Sequence, residues 1–298
     1  MWVTYAFVSA FMLGCYEIGK KHALNGNAVI PVLFLNSLVS GLLFAPFVLL
    51  SRATDWLDGT MLYVPQAPFA THACIFLKSI IVSCSWISGY FSVKHLPLTI
   101  TGPVKATQPV MTLVGAMLVF GERLNPYQWT GVLLALLSFF LLSTSGKKEG
   151  IRFSHNRWIV YAVLSVVLGA VSGLYDKHLM ASLDVMTVQV WFNVYQLFIM
   201  TCVMLLLWYP VRRQTTPCRW RWSIVLVSLS LAVGDWVYFY ALSFPGAMIS
   251  IVSMIRRSNV LITFAAGAML FHEKNLKNKA IDLFLVLLGM IFLYLGTK

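Results

Sequence analysis

Residues 250–274, SIVSMIRRSNVLITFAAGAMLFHEK, form an apolar run with Arg256 and Arg257 near its middle. A charge at the centre of a bilayer costs about 3 kcal/mol, so its default place is facing a cavity where it has work to do. A matching stretch lies 151 residues earlier, GPVKATQPVMTLVGAMLVFGER. Lys105, Gln108 and Thr112 fall there where Arg256, Asn259 and Thr263 fall here. Spacings of three and four put each trio on one helix face, and Thr101 shares the face of Lys105. Arginine offers a planar fork that fits a carboxylate or phosphate, and lysine a point charge. Two readings follow. Either the two stripes converge to bind an anionic metabolite, or their cations pair with acidic residues such as Asp235 or Glu17 and hold helices together.

Glu17 and Asp235 are themselves candidates. A buried carboxylate beside a cation can take up and release a proton during a cycle. Each is therefore either a proton-coupling group or a fixed partner of Lys20 or of an arginine in 250–274. Trp86 and Tyr90, with Trp236 and Tyr240 150 residues later, share one face at a spacing of four. They fit the aromatic wall of a small-molecule cavity and fit core packing equally well. Gly169 and Gly173 form a GxxxG that predicts close helix packing. Lys21–His22 and Lys177–His178 sit where side chains reach for water at span ends. The histidines show no zinc spacing, and no Walker or GxGxxG loop occurs, so the chain is expected to use neither metal nor cofactor nor ATP directly.

The elements that must position these groups are membrane helices. The 298 residues are 59% hydrophobic and only 11% charged, with a mean hydropathy of +0.79. Soluble domains carry about 25% charged residues. Ten segments of about 20 apolar residues can be drawn, near 2–21, 29–51, 70–94, 98–120, 126–145, 158–179, 185–209, 220–243, 247–271 and 277–297. They are continuous runs, not the alternating strands of a barrel. Met1–Trp2 leads straight into an apolar run without a basic region, so the first span is expected to be kept. The net charge of +12 lies scattered over short connectors and does not describe a nucleic-acid surface. Of the five cysteines (Cys15, Cys74, Cys84, Cys202 and Cys218), four lie inside spans with no CxxC pair, which points away from metal or redox chemistry.

The chain repeats itself. At an offset of 156, Trp2, Tyr5, Ala6, Ser9, Lys21 and His22 recur as Trp158, Tyr161, Ala162, Ser165, Lys177 and His178. At 151, Phe120 and Glu122 recur as Phe271 and Glu273. This predicts repeats at 1–145 and 158–298, each of five helices, joined by the polar linker 146–157. Five is odd, so the second repeat must enter the membrane inverted. The resulting fold class is all-α: ten transmembrane helices in two inverted five-helix repeats. Lys20, Lys21, Lys94, Lys147, Lys148, Arg152, Arg157, Arg212, Arg213, Arg219, Arg221, Lys274, Lys277 and Lys279 fall on one side. Only Arg52, Arg123, Lys177 and Lys298 fall on the other. The positive-inside rule then puts both termini outside.

The two five-span repeats and the acidic ends Gly121-Glu122-Arg123-Leu124 and His272-Glu273-Lys274 resemble the drug/metabolite transporter superfamily, most closely its EamA type. The resemblance covers nearly the whole chain. It implies a multi-pass protein of the plasma membrane (the inner membrane in a bacterium), a secondary transporter and no enzyme, with both termini in the cytoplasm. That orientation opposes the charge count. The Arg256–Arg257 pair is also similar to the Lys–Arg pair with which plastid phosphate translocators grip phosphate. The expected function is alternating-access transport of a small, anionic metabolite, with the lipid bilayer as the other partner; Glu17 and Asp235 are the candidates for proton coupling, with fixed ion pairing as their other reading. An exporter of amino acids, drugs or other neutral or zwitterionic compounds is the alternative. A membrane enzyme or lipid-headgroup binder is the alternative from another class. Nothing in the residues speaks to oligomeric state.

Overall fold

A computed structural model describes residues 2–108, 156–244, 255–270 and 276–296, with scattered residues among 110–141 and residues 247 and 252. Every regular element among them is helical. They are α1 (Trp2–Leu24), α2 (Val29–Ala53), α3 (Phe69–His95), α4 (Leu98–Ala106), α5 (Arg157–Met180), α6 (Val185–Val203), α7 (Trp222–Ser243), α8 (Asn259–Met269) and α9 (Leu276–Leu295). A π-helical turn, Met204–Trp208, extends α6. Among the described residues, five helices are long and apolar enough to cross a membrane: α2, α3, α5, α6 with its π turn, and α7. The linker expected at 146–157 is described only at Asn156 and Arg157. The acidic ends at Glu122 and Glu273, with Phe120 and Phe271, lie outside the described residues.

Burial runs opposite to a soluble protein. Leu42, Leu206, Trp222 and Phe284 are more than half exposed, while Lys78 is 1% and Lys20 2% exposed. On α1 the outward stripe is Val3, Phe7 and Phe11, and the inward one is Ser9, Leu13, Tyr16, Glu17 and Lys20. An apolar exterior over a polar interior is what lipid on the outside demands.

The helices pair across the two halves of the chain. α1 packs most extensively on α7, and α3 on α5; α2 faces α6, and α4 faces α8. Serines related at offset 156 lie in the first two seams. Ser9 Oγ donates to the Gly234 carbonyl at 2.7 Å, and the Ser165 carbonyl accepts from Ser85 Oγ at 2.9 Å. Glycine permits these approaches. A Cβ on Gly89 would lie 2.7 Å from Ser165 Oγ, and one on Gly234 would lie 3.2 Å from Met12.

Contacts at one end set the helix directions. Lys21, near the end of α1, donates from Nζ to the Val93 and Leu96 carbonyls at 2.9 and 2.7 Å, capping the end of α3. His95, the last residue of α3, stacks at 3.7 Å on Trp158 at the start of α5. α1 and α3 therefore finish where α5 begins, so α1 and α5 run in opposite directions. The start of α7 is tied to the same end by Arg221, which donates to the His22 carbonyl at 3.2 Å. The 209–221 connector docks there too. Asn27 bonds both the N–H and the carbonyl of Arg219, at 2.8 and 2.7 Å, and Lys94 Nζ donates to Thr216 Oγ1 at 3.1 Å.

Candidate functional site

The helices surround a central cavity of about 160 Å³. Its described lining includes Lys20, Lys78, Lys105, Arg256 and Arg257, against three carboxylates, Glu17, Asp176 and Asp235. With all eight ionised, the wall carries two surplus positive charges.

These groups form two clusters. In the first, α1 places Glu17 and Lys20 one helical turn apart, and α4 brings Lys105 across to them. Lys20 Nζ lies 2.7 Å from Glu17 Oε2 and Lys105 Nζ 2.6 Å from Oε1, so both carboxylate oxygens are engaged. The Lys20 ammonium also sits over the Tyr16 and Tyr90 rings at 4.4 and 5.0 Å, which offsets part of the cost of burying it. In the second cluster Arg256 pairs with Asp235 of α7 and lies 4.1 Å over the Tyr238 ring. Lys78 of α3 pairs with Asp176 of α5 at 2.8 Å, its ammonium flanked by Phe239 at 3.9 Å and Phe192 at 4.7 Å. Arg257 lines the cavity and has no ion pair among the described residues.

The cations of the two matching stretches sit beside matching interruptions. Thr107 forms a tight turn after α4: its N–H and its Oγ1 both reach the Val104 carbonyl, at 3.2 and 2.7 Å. Ser258, 151 residues on, does the same before α8, with its N–H and Oγ reaching the Ile255 carbonyl at 3.0 and 2.7 Å. The next turn restarts alike, with Val110 N–H on the Thr107 carbonyl and Leu261 N–H on that of Ser258, both at 3.0 Å. Hydroxyl side chains that bond back onto their own turn compete with regular helix. Lys105 and Arg256 each precede the turn by two residues, so both spans carry a discontinuity at the depth of their charge.

The paired stripes part company at these turns. Lys105, Gln108 and Thr112 line the cavity, as do Arg256 and Arg257. Asn259 and Thr263 do not. They face Thr101, Gly102 and Lys105 in a crevice of about 10 Å³ between α4 and α8, too small for a ligand. The helix crossing explains this: a Cβ on Gly102 would lie 2.9 Å from Val260 and 3.3 Å from Thr263. Thr112 spends its hydroxyl on the Gln108 carbonyl at 3.1 Å.

The four aromatics also divide. Trp86 and Tyr90 line the cavity, whereas Trp236 and Tyr240 are absent from its described lining. Trp236 packs with Phe44, Val64 and Met186 and stacks on Tyr240 at 6.0 Å; Tyr240 meets Tyr5 edge-on at 5.1 Å. From α7 the cavity receives Tyr238 and Phe239 instead. The GxxxG expectation needs correction as well. Both glycines open onto the cavity: a Cβ on Gly169 would lie 2.9 Å from the Gln108 amide, and one on Gly173 would meet nothing within 4 Å. The motif makes room for a side chain and for cavity volume, where helix packing was expected.

Lys78 and Asp176 escaped the sequence reading. Lys78 stands nine residues inside an apolar span, which is signal enough. Asp176 falls at the offset-156 position of Lys20, a charge reversal that a search for identities passes over.

The model of the EamA-like transporter family matches residues 1–144 and 156–295. One solved structure, described only as the crystal structure of a protein, superposes with a TM-score of 0.65 at 15% identity, over 99% of this chain and 97% of that one. At that identity the likeness speaks for the fold alone. No curated protein matches the chain.

Proposed function

The chain belongs to the EamA-like transporter family, multi-pass membrane proteins that move small molecules, and from that premise we propose that it carries a small organic anion by alternating access. The observation that carries this reading is the charge balance of the cavity's described lining, five cations against three carboxylates. A cavity with surplus positive charge draws an anion and repels a cation. Arg257, with no carboxylate partner among the described residues, is the group that grips it. The opposed directions of α1 and α5 and the cross-paired seams support two inverted repeats, 1–145 and 158–298, rocking about that centre. The ion pairs Glu17–Lys20, Glu17–Lys105 and Asp235–Arg256 support a counter-ion role for both acids over proton coupling.

The test is transport in proteoliposomes. Uptake of anions by the wild type and its loss in Arg257→Gln, with the variant still folded, is the expected result. Uptake confined to neutral or zwitterionic compounds and indifferent to the substitution would move the assignment to the exporter reading. Collapsing the pH gradient should leave the rate unchanged.

The basic end, where Lys21, Lys94, Arg157 and Arg221 gather, faces the cytoplasm in this proposal. Cys218 is exposed in the connector at that end. An impermeant maleimide should label it in inside-out vesicles and not in right-side-out ones. Partial burial pushes the Cys218 thiol up, so labelling should quicken at mildly alkaline pH.

A further inference from the structure

The connector between α6 and α7 carries Arg212, Arg213, Arg219 and Arg221, and no acidic residue occurs between Asp184 and Asp235. The first three arginines are exposed. None of the four has a carboxylate partner among the described residues. The positive-inside rule decides on which side of a membrane such charge falls. It does not call for the charge to be held in place, yet this connector is pinned. Asn27 holds both the N–H and the carbonyl of Arg219. The Ala28 N–H donates to the Pro217 carbonyl at 3.2 Å, and Lys94 donates to Thr216. These bonds use the connector's backbone and one threonine, so the guanidinium groups of Arg212, Arg213 and Arg219 are not spent on them. Arg212 lies flat over the Tyr209 ring at 3.9 Å, which occupies its face and leaves its N–H edge able to donate.

Apolar surface continues directly from this charged shelf. Leu206, in the π turn before it, and Leu226, on α7 after it, are both more than half exposed. Trp220 and Trp222 are exposed at the junction, with their rings edge-on at 6.0 Å. Tryptophan at such a boundary marks the headgroup level of a bilayer. Arginines at the helix ends, indoles beside them and leucines along the helices match a phospholipid from its phosphate to its chains. A soluble anion would meet the arginines and leave the leucines unused. A cluster of four arginines without a counter-charge also favours a headgroup with net negative charge over one that carries its own ammonium.

We propose that the 209–221 connector binds the headgroup of an anionic phospholipid of the surrounding bilayer, whose chains lie on Leu206 and Leu226. This surface is separate from the central cavity and does not depend on what the cavity carries.

Native mass spectrometry tests it, with the full chain released from micelles holding equal amounts of phosphatidylglycerol and phosphatidylcholine of identical chains. The wild type should retain phosphatidylglycerol over phosphatidylcholine by at least about tenfold, each arginine near the headgroup contributing about fivefold. Arg212→Gln alone should lower that ratio by about fivefold. The triple variant Arg212→Gln, Arg213→Gln, Arg219→Gln should bring it to about one and melt like the wild type. Arg52→Gln removes an exposed arginine from the far end of α2 and should leave the ratio unchanged. Equal retention of both lipids by the wild type overturns the proposal. A preference that survives in the triple variant, or that falls as far in Arg52→Gln, overturns the assignment to this surface. Excess glycerol 3-phosphate should not displace the lipid; displacement would make this a site for a soluble anion and overturn the lipid.

Discussion

Around Glu17 two lysines share one carboxylate; Asp235 holds one arginine, Arg256, and the arginine next in sequence, Arg257, holds no carboxylate among the described residues. In the first cluster both cations arrive, one on each oxygen. At Asp235 Arg256 is paired, and Arg257 faces the cavity with no ion pair among the described residues. Lysine is a compact charge on a flexible stem, so two can converge on the two oxygens of a single acid. Adjacent arginines project from neighbouring helix positions about 100° apart and cannot both turn to one partner. Every charge around Glu17 has a partner, while Arg257 has no ion pair among the described residues, and the anion proposal rests on that contrast. Family membership alone would not have revealed it.

Removing Glu17 tests this division most severely. Glu17→Ala strands two buried ammonium groups and should cost about 3–5 kcal/mol or more, seen as loss of folded yield or a large fall in melting temperature. Should Asp235→Ala prove equally damaging, the two clusters would be alike in their dependence on one acid. Arg256→Gln should cost about 3 kcal/mol by leaving Asp235 alone. Arg257→Gln should melt within about 0.5 kcal/mol of the wild type, while transport falls about tenfold. Stability and uptake that fall together in both arginine variants would erase the contrast. Gly169→Ala pushes on the Gln108 amide and should cost about 1 kcal/mol, with weaker binding. Gly173→Ala meets open space in a helix and should stabilise by about 0.5–1 kcal/mol, opposite in sign to the others.

The helices were legible because lipid imposes long apolar runs: expected spans such as 29–51 and 158–179 correspond to α2 and α5 within a residue or two. The repeat register was legible because it survives as identities, and it placed Lys105 and Arg256 at corresponding positions, both now on the cavity wall. What the register could not convey was divergence within the pair. Asn259 turns into the α4–α8 crossing while Gln108 reaches the cavity. Trp236 packs in a core while Trp86 lines the site. Corresponding residues share a backbone position, and their surroundings are set by different neighbours. The turns at Thr107 and Ser258 were invisible because threonine and serine occur in regular helices as well. Only the back-bonded hydroxyls, seen in three dimensions, mark the interruption.

Those two turns have a thermodynamic consequence. Each is closed by the same pair of short-range bonds onto one carbonyl, so neither half of the chain holds a large local energy advantage over the other. Under the proposed alternating access, opening one and tightening the other would be an exchange of like for like, within reach of a modest bias. A ligand needs only a few kcal/mol of preference to invert such an equilibrium. In the alternating-access proposal, this symmetric pair of turns is where a small molecule with few contacts to offer would bias the helical bundle.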